Sequence, residues 1–436
     1  MFFQFGLHSS LLLPFVVPGA VATVWLWARA WRRGSPADAL LALLVLVPTL
    51  SVSQWMLGYA GWFDSHDSHS TVMFYVPWRA NMLLGGTYYL YFRSLTNQDF
   101  RWRPALKHLL PGLLEWGAFA AVAAYDLLWY HGLCGRPLPD FFGTKGPGAT
   151  ALDATALPAA LLSSTLLLVY GLHVLADYRR YRRYLNDNFS DPERLRFAGL
   201  RQMLALQALV LVLSLVFTTL NEVLNFSYDA AWYFFALRGV LIYGLIVVGI
   251  QANYAAATTP LRFGAGNEAA AEEAAPPTTV ISASSPAILA ASSSRLPAAS
   301  AASLATPVAA TASAMPSPVG LPSELHPWRE KLLLLMTDEQ PWLEPELTLT
   351  ELAHRLHTHP ALLSKVINAG CGQNFNDFVN TYRVQEARRK LADGRFWHYS
   401  LVGVALESGF NSKSTFNRVF KKLLGQAPSE VTRPKP

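Results

Sequence analysis

Of 436 residues, 52% are apolar and 15% charged, and mean hydropathy is positive at +0.23; ordinary soluble domains carry about 25% charged residues. That balance excludes a wholly water-soluble enzyme and a chain disordered throughout. The net charge of +6 suits phosphate or anionic lipid. The charges crowd towards the C-terminal end, so a membrane part joined to a water-soluble part is expected. Two cysteines, Cys134 and Cys371, are too few for a disulfide framework or a multi-cysteine metal site.

A hydrocarbon core of ~30 Å needs about 20 apolar helical residues. Seven segments qualify, at about 7–28, 38–59, 72–94, 108–130, 155–177, 200–222 and 233–254. The first has its basic cluster after the apolar run, unlike a cleaved signal peptide. Arg79, Asn81, Pro111 and Glu115 interrupt the third and fourth. The first, third and fifth connections carry 14 Lys and Arg, whereas the second, fourth and sixth carry only Arg136 and Lys145. Basic residues stay on the cytoplasmic side. The expected topology is therefore N-terminus outside, C-terminus inside, in a multi-pass inner (cytoplasmic) membrane protein. Trp62, Trp78, Trp129 and Trp232 fall near outer ends, where an interfacial aromatic belt belongs.

Ionisable groups inside spans are costly. Arg79, Asp126, Glu222 and Arg238 lie at similar outer-leaflet depth. They are candidates for a ligand pocket whose arginines hold an anion, or they are helix-to-helix ion pairs. His173, near an inner end, reads as a packing residue. The glycines of NMLLGG and GLLEWGAF let helices approach closely. The HDSH stretch at 66–69 reads as a solvated turn. No metal, cofactor or catalytic signature stands out.

Residues 255–322 are rich in Ala, Ser, Thr and Pro, with one aromatic and five charges. They cannot bury enough apolar surface to fold and are expected to be a disordered tether. Its root-mean-square span is roughly 45 Å. Such a tether transmits conformation poorly, which favours control through dimerisation or local concentration.

From 323 to 436 the pattern is soluble helix, and one unit occurs twice: LTELAHRLHTHPALLSKVI at 349–367 and LVGVALESGFNSKSTFNRVF at 401–420. Each has the physics of a helix-turn-helix. A small Ala (Ala353, Ala405) permits a close crossing. A turn follows, with Gly409 supplying a left-handed residue in the second copy. Pro360 opens one following helix, and Asn411 or Ser412 can cap the other. A long helix, 375–391, lies between the two units. From Asn376 onward there are 11 Lys and Arg against 5 Asp and Glu, a surplus suited to DNA.

NFNDFVNTYRVQEARRKL, ALESGFNSKSTFNRVFKKLLGQAPSE and HPALLSKVIN resemble the linker helix, second motif and first motif of AraC/XylS-type transcription regulators. In outline the chain resembles membrane-anchored regulators of this type from Bacteroidetes-like bacteria. His359 stands where that family often has a capping Ser, and Val431 where it usually has an aromatic. The resemblance implies two recognition helices entering successive major grooves of double-stranded DNA. Ser364, Lys365 and Asn368, with Ser412, Lys413, Ser414, Asn417 and Arg418, are the base-edge candidates. Arg388, Arg389, Lys390, Lys421 and Lys422 are the phosphate candidates.

The expected fold is all-α: a seven-helix transmembrane bundle, a disordered linker and two helix-turn-helix motifs on a linker helix. The expected function is a membrane-embedded one-component transcription regulator. It would sense an unknown small-molecule or membrane signal, without a cofactor, in the lipid bilayer, with a homodimer as the candidate assembly. The alternative is a transporter or membrane enzyme with a helical protein-docking module.

Overall fold

The computed structural model describes residues 4–97, 100–195, 198–224, 227–251 and 322–431. The described residues are helical and contain no strand. The segment 255–322, expected to be a tether, lies outside them apart from its last residue.

The N-terminal bundle comprises α1 (Leu13–Arg33), α2 (Pro36–Tyr59), α3 (Ser68–Tyr75), α4 (Met82–Thr96) and α5 (Trp102–Ala123), then α6 (Pro147–Ala154), α7 (Ala156–Asn188), α8 (Ala198–Leu224) and α9 (Tyr228–Gln251). The second helix is apolar on every side because α1, α4 and α9 surround it: Leu40, Leu41, Ala42, Leu44, Val45 and Val47 are all buried. Around it, α1, α7, α8 and α9 turn Val21, Val24, Leu161, Leu162, Val212, Val216 and Val240 outward. An outer surface of this kind suits lipid rather than water. Close approach is built in at Gly86 of α4, where a Cβ would run into the His108 carbonyl of α5.

The turn between α1 and α2 holds a buried ion pair. Asp38 accepts from Arg29, and Arg29 Nη1 also donates to the Gly249 carbonyl of α9 at 3.0 Å. Burying a charge is costly unless it is paired; here the pair clamps three helices. Arg29, counted above among the orienting charges, is thus a structural residue.

Among the described residues, four helical stretches are long and apolar enough to cross a membrane: Leu7–Arg33, Pro36–Ser65, Ala156–Asn188 and Ala230–Ile250. They coincide with the first, second, fifth and seventh expected spans. A shorter apolar helix, Ala205–Asn221, falls on the sixth. The third expected span is not one helix. It breaks between α3 and α4, where Val76 is extended (ψ 131°), the conformation imposed on a residue preceding proline, here Pro77. The fourth continues from α5 into a wider turn at Ala124–Leu133.

The C-terminal part comprises α10 (His326–Asp338), α11 (Leu349–Arg355), α12 (Pro360–Cys371), α13 (Phe375–Ala392), α14 (Leu401–Glu407) and α15 (Lys413–Leu424). It has two apolar cores. One gathers Leu332, Met336, Trp342, Leu352, Leu363, Val366 and Ile367. The other gathers Val404, Ala405, Phe410, Phe416, Val419 and Phe420. The long α13 serves both, giving Phe375, Phe378 and Val379 to the first and Val384, Ala387 and Leu391 to the second. Its 18 residues make a strut of ~27 Å between the two halves.

Candidate nucleic-acid interface

Each half presents a short helix, a turn and a longer helix. In the first, Thr348 and Glu351 form a reciprocal capping box on α11, with Thr348 N donating to Glu351 Oε2 at 2.8 Å and Glu351 N to Thr348 Oγ1 at 3.2 Å. The turn passes through His357 at φ 50°. Pro360 then opens α12, and His359 makes no capping bond. In the second half, Ser400 caps α14, and Ser412, rather than Asn411, caps α15 by accepting from Thr415 N at 3.2 Å. Asn411 donates instead to the Pro345 carbonyl at 3.1 Å.

The candidate reading residues lie on the outward faces. Phe416, Val419 and Phe420 turn α15 inward, which leaves Lys413, Ser414, Asn417, Arg418 and Lys421 exposed. On α12, Lys365 and Asn368 are exposed and Ser364 is half-buried; Asn368 Nδ2 donates to Ser364 Oγ at 3.3 Å.

The phosphate candidates separate into three states. Arg388 and Lys421 are exposed and make no ion pair among the described residues. Arg389 is paired with Glu386 at 2.6 Å and Lys422 with Asp377 at 2.7 Å; the Arg389 guanidinium holds the Glu386 carboxyl below the usual range. Lys390 does not fit the expectation. It is buried, and its ammonium donates to the Glu407 carbonyl at 2.6 Å, satisfying the C-terminal end of α14. The same ammonium lies 3.6 Å from Glu386 Oε1 and over the Phe396 ring at 5.8 Å, so it is engaged within the domain.

One decisive side chain escaped the sequence reading. Arg383 of α13 is 1% exposed. Its Nε donates to the Trp342 carbonyl at 2.7 Å, and Nη2 to the Glu344 carbonyl at 2.7 Å and Ser190 Oγ at 3.1 Å. Burial brings its pKa down to about 10, partly offset by Asp191, so it stays charged at neutral pH. It ties the connector after α10 to the strut. The available signal was an arginine inside an apolar stripe, between Val379 and Ala387.

Beside α15 lies a second surprise. The connection after α7 packs on this domain: Asp191 and Glu193 share a groove with Asn411, Ser412, Ser414, Thr415 and Arg418. Glu193 Oε1 is 3.1 Å from Arg418 Nη2.

Within the bundle, Arg79 and Arg238 do meet, lining one cavity of about 200 Å³ with Ser51, Gln54, Asn81, Ser164 and Thr218. Arg79 pairs with Asp153 at 3.1 Å. Arg238 donates to Asn81 Oδ1 at 2.6 Å and has no acidic partner among the described residues. Asp126 is elsewhere. Fully buried, it accepts from Gly148 N (2.9 Å), Ala149 N (2.8 Å) and the Tyr75 hydroxyl (2.8 Å). The free N–H groups of the α6 N-terminus draw it there. The Glu222 side chain lies outside what the structure describes. At 66–69, Asp67 caps α3 and binds His69 Nδ1 at 2.9 Å, a locally satisfied turn.

Comparison with known proteins agrees with this geometry. Residues 352–434 match the family described as Helix-turn-helix domain. The uncharacterized HTH-type transcriptional regulator YtdP of Bacillus subtilis (strain 168) is 34% identical over 92 residues, 21% of this chain and 12% of the relative. The uncharacterized HTH-type transcriptional regulator SACOL0084 of Staphylococcus aureus (strain COL) is 30% identical over 91 residues, again 21% of this chain and 12% of the relative. The chain thus spans about an eighth of the length of these curated relatives. No solved structure matches. The relatives carry the names of transcription regulators and not of enzymes, and the C-terminal end of this chain carries an AraC-type helix-turn-helix domain.

Proposed function

We propose that this chain is a membrane-embedded, one-component transcription regulator that reads double-stranded DNA sequence-specifically through two helix-turn-helix motifs on α13. The observation that carries the reading is the repeated helix pair, each with an exposed polar reading face, at the two ends of one ~27 Å strut. That length plus its flanks suits major grooves one turn apart, ~34 Å. Lys413, Asn417 and Arg418, with Ser364, Lys365 and Asn368, read base edges. Arg388 and Lys421 are the principal phosphate contacts, and Arg389 and Lys422 contribute after exchanging their acidic partners. The imbalance of basic residues between connections supports a cytoplasmic reader on a multi-pass bundle of up to seven spans.

The test is genome-wide occupancy of the full-length protein against a Lys413→Ala/Arg418→Ala variant. Discrete promoter peaks lost in the variant are expected; unchanged peaks refute the reading.

The bundle is the sensor in this proposal. Arg238, with no carboxylate beside it among the described residues, suits a ligand with one negative charge and a small apolar body. Amphiphilic carboxylates should raise the melting temperature of the protein in nanodiscs, and their neutral amides should not; in Arg238→Gln the difference should vanish. A transporter or enzyme carrying a protein-docking module, the second reading, would instead leave purified protein unable to bind any duplex at low salt.

A further inference from the structure

The tether at 255–322 is not the only link between bundle and reader. The long α7 continues past the apolar segment to Asn188 without a break, and the connection that follows is seated on the DNA-binding domain. Phe189 forms an isolated antiparallel bridge with Thr348. Ser190 N donates to the Leu347 carbonyl at 3.2 Å, its carbonyl accepts from Asn376 Nδ2 at 2.6 Å, and its hydroxyl accepts from Arg383 Nη2 at 3.1 Å. Ser190, Asn376 and Arg383 are all buried. The backbone N–H, the carbonyl and the hydroxyl of Ser190 all find partners on the other side, the mark of a specific seat. The arm is also braced on α7, where the buried Tyr181 hydroxyl donates to the Leu195 carbonyl at 3.0 Å.

We infer that this arm, 189–195, is an autoinhibitory occupant of the second reading helix, and that the bundle controls DNA binding by seating or withdrawing it. The inference rests on the regulator reading above. The arm sets two carboxylates, Asp191 and Glu193, against Ser412, Ser414 and Arg418. A DNA phosphate brought to that face meets like charge, and Arg418 cannot serve a base edge while Glu193 holds it. DNA and the seated arm therefore exclude each other, and any displacement of α7 reaches the reader through a continuous helix. A ligand that shifts α7 shifts this equilibrium by its differential affinity for the two states.

The test uses full-length protein in nanodiscs and a mixed-sequence duplex of about 40 base pairs at low salt. Asp191→Asn/Glu193→Gln, on a partly exposed arm, should tighten duplex binding by about tenfold, a typical coupling. Separately, a Glu193→Cys/Ser414→Cys variant should cross-link under mild oxidation, and excess duplex should suppress the cross-link. Equal duplex affinity of wild type and the charge-neutralised variant, or a cross-link indifferent to duplex, overturns the autoinhibitory role alone. Failure of both proteins to bind any duplex overturns the regulator reading with it.

Discussion

His357 and Gly409 occupy the same place in the two repeated units, and both are left-handed, at φ 50° and 83°. The turn after each short helix demands that conformation whichever residue stands there. A side chain pays a steric penalty of about 1–2 kcal/mol in it, and glycine pays none beyond its extra entropy loss of up to about 1 kcal/mol. His357→Gly should therefore stabilise the first half slightly, by about 0.5 kcal/mol. Slower hydrogen exchange in peptides from 349–371 would register it; faster exchange would contradict it.

The reverse change should be severe. A Cβ on Gly409 would meet the Trp342 carbonyl and crowd Arg383. Gly409→Ala adds left-handed strain to that collision, for a loss of about 2–4 kcal/mol. Promoter occupancy should disappear together with protection of the 401–420 backbone.

The unused cap at His359 gives a gain. Replacing it with Ser supplies an acceptor for a free N–H of α12, at about 1 kcal/mol. Thermal unfolding of His359→Ser should move up by a few degrees, and an unchanged midpoint would show that the N–H groups are already satisfied.

Arg383 binds three connector carbonyls, those of Trp342, Glu344 and Pro345, and the Ser190 hydroxyl through a planar fork that a lysine cannot reproduce. Arg383→Met should cost about 3 kcal/mol or more, because buried acceptors are left unpaired. Arg383→Lys should recover part of this. Equal stability of the methionine variant and wild type would show the network to be dispensable.

Basic residues should differ in the salt dependence of duplex binding. Each neutralised phosphate adds about −0.9 to the slope of log K against log salt. Arg388→Ala and Lys421→Ala should each flatten the slope by about one. Lys390→Ala should leave it unchanged and lower stability instead, through the orphaned Glu407 carbonyl. A slope change from Lys390→Ala would put its ammonium on DNA.

Topology and thiol chemistry can be read together. Cys134 is exposed and Cys371 buried, and burial pushes the Cys371 thiol up, so it stays protonated and unreactive at neutral pH. On the proposed orientation, a membrane-impermeant maleimide should label sealed cells at Cys134, and Cys134→Ser should abolish the signal. Since the folded thiol titrates higher than the unfolded one, its contribution to stability is intact at neutral pH and fades as pH rises through the folded value.

Read alone, the chain already showed its apolar helices, the repeated unit, the special residue at Gly409 and the exposed basic face of α15. Each depends on local periodicity or backbone preference, which adjacent residues encode. It did not show that Asp126 caps α6 instead of facing Arg79 and Arg238, that Lys390 turns inward, or that α3 and α4 are separate helices. Nor did it show Ser190 meeting Asn376 and Arg383, or Glu193 meeting Arg418. Those partners are far apart in sequence, and only the packing of α7 against α13 brings them within hydrogen-bonding reach. Charge on a residue is written in the chain, but which group neutralises it is decided by the distances that folding creates.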